Sequence, residues 1–146
     1  VMMECTLSLI NLPDEALHEA FCVLKKGGKL FISDLYLKNP DPRQVKAIQI
    51  EAERQAKIPH KEENCGEGQM RFVDFRFEGA FIKEPMLRYM EEVGYKILAF
   101  EDRSADLDTY VAETILREGS LDNCVTCAKG KKGIGYFMLV AEKPEN

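Results

Sequence analysis

The sequence predicts an α/β protein with a covered, mostly parallel sheet and helices on both faces. Three observations carry that reading. Short β-favouring runs alternate along the chain with segments of helical spacing. The run Leu30-Phe31-Ile32 is apolar throughout, as strands covered on both faces are. Glycines stand where the helical spacing stops, at Gly27-Gly28, Gly94 and Gly119. The 146 residues amount to a single domain, with 45% hydrophobic and 31% charged residues. That composition excludes a collagen-like or disordered chain. No apolar stretch approaches the roughly 18 residues that a membrane span needs. The net charge of -5 argues against wholesale binding of a phosphate backbone.

The elements follow in order. Residues 1–10 are rich in β-favouring residues and are expected to form a buried strand. Pro13-Asp14-Glu15 opens a helix, because Pro suits the first turn and carboxylates suit its positive end. Leu17, Ala20, Phe21 and Leu24 give that helix its apolar stripe, and Lys25-Lys26-Gly27-Gly28 stops it. The strand through Leu30-Phe31-Ile32 ends in Ser33-Asp34-Leu35-Tyr36. Pro40 and Pro42 precede a second helix over residues 43–57, with Val45, Ile48 and Ala52 on one face. Residues 59–81 lack periodicity, which in a compact domain marks a functional or mobile segment. Within it, Phe72, Phe75 and Phe77 suit a short strand or a cap over a pocket. Lys83-Glu84-Pro85 starts a third helix, and a strand follows over residues 96–101. Leu107, Val111, Thr114 and Ile115 mark a fourth helix, and residues 134–142 form the last strand.

The N-terminus has no basic region before a long apolar stretch, so a signal peptide is not expected. A chain that opens on Val1 inside a strand is expected to be part of a longer protein. Five cysteines, an odd number, favour reduced thiols and a cytoplasmic location over a disulfide scaffold.

One segment says more than its spacing. Glu4-Cys5-Thr6-Leu7-Ser8-Leu9-Ile10, followed by DEALHEAFCVLKKGGKLFISDLY, resembles the middle of class I S-adenosylmethionine-dependent methyltransferases. There the fourth strand is followed by a helix, a VLKPGG turn and the fifth strand; here residues 23–28 read VLKKGG. The match runs on through Glu92-Val93-Gly94-Tyr95 and the last strand before Lys143-Pro144. The resemblance implies a Rossmann-like sheet whose last strand is inserted antiparallel between the fifth and sixth. It also implies that residues 1–146 are the C-terminal part of that domain. The strings Cys5-Thr6-Leu7-Ser8-Leu9 and Ser33-Asp34-Leu35-Tyr36 are similar to the branch of arsenite methyltransferases. That branch carries another thiol shortly before a segment matched by Gly79-Ala80-Phe81; here Arg76 and Phe77 stand in that neighbourhood and Cys65 is the nearest thiol.

The family's glycine-rich turn and ribose-binding acid have no counterpart in these residues. Gly66-Glu67-Gly68 and the glycines from Gly130 to Gly135 lack a strand–turn–helix context. The isolated chain is therefore expected to bind S-adenosylmethionine poorly. By the resemblance, Glu4 and Cys5 border the cofactor pocket, and Cys5, Asp34, Tyr36 and Cys65 are candidates to touch substrate. The plainer readings are a core cysteine and strand-end carboxylate for the first pair, and a chain cap for Asp34. Cys22 reads as core, and His60 as an isolated loop residue. Cys124 and Cys127 form a lone CxxC, which supplies two of the four ligands of a closed zinc site. No metal is expected, and this pair is the weak candidate if there is one.

Three functions are consistent with these residues. The first is a methyltransferase, or its C-terminal half, acting on a small-molecule or metalloid acceptor. The second is a non-catalytic binding or assembly module that keeps the half-fold. The third is a thiol-based metal or metalloid binder using Cys65 with Cys124 and Cys127. Neither nucleic acid nor membrane is an expected partner. A homodimer is, because residues 1–10 would present an open strand edge with a single charge, Glu4.

Overall fold

The computed structural model describes residues 1–56, 74–77, 79–120 and 133–146. Its strands are β1 (Met2–Glu4), β2 (Lys29–Leu37), β3 (Arg76–Phe77), β4 (Ala80–Phe81), β5 (Lys96–Asp102) and β6 (Ile134–Glu142). Its helices are α1 (Pro13–Val23), α2 (Pro42–Ala56), α3 (Lys83–Val93) and α4 (Ser104–Glu118). The strands make one mixed sheet in the order β3-β4-β2-β6-β5, with β1 also beside β2. β2 pairs in parallel with β1 over Phe31–Ser33 and with β4 at Tyr36, so the two share one of its edges. Its other edge is taken along all nine residues by β6, antiparallel, from Lys29 opposite Glu142 to Leu37 opposite Ile134. β5 pairs antiparallel with the far side of β6. The last strand thus lies between two strands that run the other way, as the resemblance implies.

The helix boundaries follow local chemistry. Pro13 stands in the first turn of α1 with Asp14 and Glu15 beside it. After α1, Gly27 turns back at φ 75 and its amide bonds the Lys143 carbonyl at 2.7 Å. α3 ends at Gly94, whose φ of 120 and approach to the Phe21 ring leave no room for a side chain; a Cβ would lie 2.9 Å from Phe21 Cζ. The inner face of the sheet packs on α1 and α3 through Leu17, Phe21, Met86 and Met90, all buried. At its centre Phe137 stacks on Phe100 at 5.0 Å, and Tyr36 meets both rings edge-on. α4 lies near the Tyr136 side of β6, with Thr114 buried and Leu116 exposed.

Two expectations need correcting, and a third is met in part. Residues 1–10 are not one strand: β1 stops at Glu4, Cys5 takes φ 47, and Leu7–Leu9 is a 3-10 turn. The chain must reverse here to enter α1, and the amide of Ser8 goes to the Asp34 carboxylate instead of a neighbouring strand. Nor is β2 covered on both faces. Leu30 and Ile32 are buried, but Phe31, which points to the other face, is 40% exposed. The aperiodic segment holds two short strands, β3 and β4, and two buried rings, Phe75 and Phe81. Residues 57–73 and 78 of that segment lie outside the described residues. Among the described residues no helix is long and apolar enough to cross a membrane.

The aromatic centre makes a stability prediction. Phe137→Ala removes a fully buried ring touching Tyr36, Phe81 and Phe100, and is expected to cost about 3–5 kcal/mol. Met138→Ala, at a neighbouring exposed position on the other face, is expected to cost less than about 1 kcal/mol. Urea unfolding of the two variants checks the contrast.

Candidate functional site

β1 and β2 end side by side, Glu4 opposite Ser33. The carboxyl ends of strands are where open α/β sheets gather ligands. The residue that follows, Cys5, is anchored by its amide to the Ser33 carbonyl at 2.7 Å, and its φ of 47 is unusual for a side chain with a Cβ. Such a conformation costs about 1–3 kcal/mol and persists only where its surroundings impose it. The turn presents the Cys5 thiol to Tyr136 on β6, Sγ to Oη 3.5 Å. Cys5 is a free thiol. Burial, and next the contact with Cys5, push the Tyr136 phenol up to about 12.

Tyr136 is also where α4 is fastened. Its amide donates to Ser104 Oγ at 3.2 Å, and its carbonyl accepts from the Arg103 amide at 2.7 Å. Ser104 in turn bonds the Asp102 carboxylate through both hydroxyl and amide. These bonds, with a further one from Tyr36, hold the Asp102 carboxyl below the usual carboxylate range. Gly135 permits the crowding: a Cβ there would meet Ser104 Oγ at 2.5 Å and the Tyr36 ring at 2.9 Å.

Between the turn and α4 lies a cavity of about 500 Å³ lined by Glu4, Cys5, Asp106, Leu107, Tyr110 and Tyr136. Among the described residues its wall offers carboxylates, a thiol and two phenol rings. Asp106 is paired with Arg103 at 2.7 Å, and Glu4 is the other carboxylate among the described lining residues. Such a wall suits a ligand with hydroxyl or cationic groups on an apolar body.

The other sequence candidates sit elsewhere. Asp34 is buried, and its carboxylate accepts from the amides of Ser8 (2.9 Å) and Leu35 (2.8 Å), so it holds the turn from below. Tyr36 lies on the opposite face of the sheet from Tyr136 and lines a smaller hollow of about 160 Å³ with Lys38, Ile82 and Lys83. Cys22 is disulfide-bonded, contrary to the expectation of reduced thiols, and its sulfur lies 3.9 Å from His18 Nδ1. Cys65, His60, Cys124 and Cys127 lie outside the described residues. Among those described, no three His, Cys, Asp or Glu side chains are placed to hold a metal ion.

Sequence reading missed Tyr136, Tyr110, Asp106 and Leu107. Strand periodicity does put Tyr136 on the face opposite Phe137. Only the antiparallel placement of β6, however, brings it to a cysteine 131 positions away.

The comparisons with known proteins point to one fold. No family model matches the sequence, and no curated protein matches it. Among solved structures, the [4+2]-cyclase SpnF superposes on 99% of this chain with a TM-score of 0.55 at 21% identity. Phosphoethanolamine N-methyltransferase 2 of Haemonchus contortus, solved with phosphomonomethylethanolamine and S-adenosylhomocysteine, covers 99% with a TM-score of 0.56 at 11% identity. A geranyl diphosphate methyltransferase solved with S-adenosylmethionine covers 97% with a TM-score of 0.54 at 12% identity. This chain spans about half the length of the first and third (49%) and a third of the second (33%). The fold is therefore the Rossmann-like fold of class I methyltransferases, over the part that these residues span. The cyclase on the same fold is a reminder that the fold alone does not decide the reaction.

The Tyr136 phenol makes the site legible to pH. The folded protein keeps that proton past the ordinary phenol value of 10.0, up to about 12. Its contribution to stability is whole below pH 10 and is lost as pH rises towards 12. Tyr136→Phe is therefore expected to flatten the fall in unfolding free energy across that window, measured by urea titrations at stepped pH.

Proposed function

We propose that the chain forms the C-terminal half of an S-adenosylmethionine-dependent methyltransferase acting on a small molecule. One observation carries this: Glu4 and Cys5 stand at the carboxyl edge of a methyltransferase-type sheet and open onto a cavity of about 500 Å³. The cofactor, when bound, supplies a methyl group made electrophilic by a sulfonium. Glu4 would accept hydrogen bonds from its polar groups, and the Tyr110 and Tyr136 rings would lie against its apolar or cationic parts. Cys5 would stand where cofactor and acceptor meet. The strings at Cys5–Leu9 and Ser33–Tyr36 favour an acceptor of the arsenite branch, while Arg76 and Phe77, where that branch carries its second thiol, weigh against it.

The reading includes a homodimer, now on a shorter edge. Val1 O and Cys5 N bond β2, so in the alternating ladder the backbone groups of Met2 and Glu4 face outward. A second copy pairing there would extend the sheet about a two-fold axis. Sedimentation at tens of micromolar is expected to give a dimer, and Met2→Pro, which removes an outward donor, a monomer. A wild-type monomer sinks the pairing.

Titration calorimetry with S-adenosylhomocysteine tests the main reading. The 146-residue chain is expected to give no saturable heat at micromolar concentrations. A product that includes the residues encoded before Val1 is expected to bind at micromolar Kd, about 8 kcal/mol. A longer product that does not bind, or an open reading frame that begins at Met2, overturns the proposal.

A further inference from the structure

The guanidinium of Arg76 has five N–H donors, and all five are used. Nε donates to Asp74 Oδ1 (3.0 Å), and Nη1 to the backbone carbonyls of Ser8 (2.8 Å) and Ile10 (2.7 Å). Nη2 donates to the Asn11 carbonyl and to Asp74 Oδ2, both at 3.2 Å. An arginine carries five such donors in a rigid fork, so nothing is left over for solvent or ligand. The side chain is 15% exposed, against 60% for Asp74.

The three carbonyls belong to the irregular run between Cys5 and α1, where no strand partner takes them. Ser8 is gripped from both sides, its amide by the buried Asp34 carboxylate and its carbonyl by Arg76. One charged group from β2 and one from β3 therefore set the path of the run that begins at Cys5. Arg76 does not line the cavity into which Cys5 opens.

We propose that Arg76 is a positioning residue for Cys5: through the carbonyls of Ser8, Ile10 and Asn11 it keeps the turn closed, with Cys5 at φ 47 and its thiol against Tyr136. Only the purpose of that turn rests on the methyltransferase reading. Lysine is a poor substitute, because it offers three donors from a single point where five acceptors are spread around a plane.

The test uses the 146-residue chain. Iodoacetamide alkylation is followed on the peptide that carries Cys5, and amide exchange is followed by NMR. Arg76→Ala is expected to raise the Cys5 alkylation rate at least threefold and exchange of the Ser8 amide at least tenfold. Exchange at Ile32 and Leu139, in the central ladder, stays within twofold. Arg76→Lys gives an intermediate rise in the same two readouts. Asp74→Asn, which keeps the guanidinium and weakens its support, gives a smaller one. Unchanged Cys5 and Ser8 readouts overturn the proposal. So does a rise shared equally by Ile32 and Leu139, since Arg76 would then only stabilise the whole fold. If Arg76→Ala does not fold, the same outcomes are read from Arg76→Lys and Asp74→Asn. A failed cofactor titration leaves these readouts where they are, so the two readings fall separately.

Discussion

The rest of the structure depends on the pairing of β6 with both β2 and β5. Those two strands run in the same direction and join the sheet's backbone ladder through β6, which meets β2 along nine residues and β5 on its other edge. Every ring at the centre of the core is placed by this ladder: Phe137 comes from β6 itself, Tyr36 from β2 and Phe100 from β5. The site depends on it equally. Tyr136 is the next residue along the same strand and points the other way, towards Cys5 and α4.

The turn after β1 shows a different economy. Beyond its own short backbone bonds it is held by side chains: Asp34 takes the Ser8 amide and Arg76 takes carbonyls. Both are charged, and bonds to charged groups are the stronger kind. The cost of burying a carboxylate in Asp34 is offset only because two amides face it. A strained cysteine at the mouth of a cavity is therefore backed by rigid parts of the sheet and not by a mobile loop.

Much of the fold was legible from local signals. The start of α1 at Pro13, the stop of α3 at Gly94 and the stop of α4 at Gly119 each follow from the chemistry of one residue. The failures share a cause. Leu7, Leu9 and Ile10 have the composition of a strand, but what bends their backbone comes from Asp34 and Arg76, far away in sequence. Phe31 looked like a residue buried on both sides because hydropathy reports what a residue tolerates, not what lies over it. In the site, Glu4 and Cys5 were legible as strand-end residues, whereas Tyr110 and Asp106 sit on a helix whose spacing spoke only for Leu107, Val111, Thr114 and Ile115. Their contribution depends on where α4 is pinned, and Ser104 and Gly135 decide that.

The outer face of the sheet carries a consequence for how the protein behaves in bulk solution. Met2, Phe31, Leu98 and Met138 leave 40–65% of their surface open to water. At neutral pH the charge of -5 opposes indiscriminate contact between these apolar faces. Near pH 5.2 the charge vanishes and nothing long-ranged opposes contact between such faces. Colloidal stability is therefore poorest at mildly acid pH, and added salt, which screens the residual repulsion, narrows the margin on the neutral side.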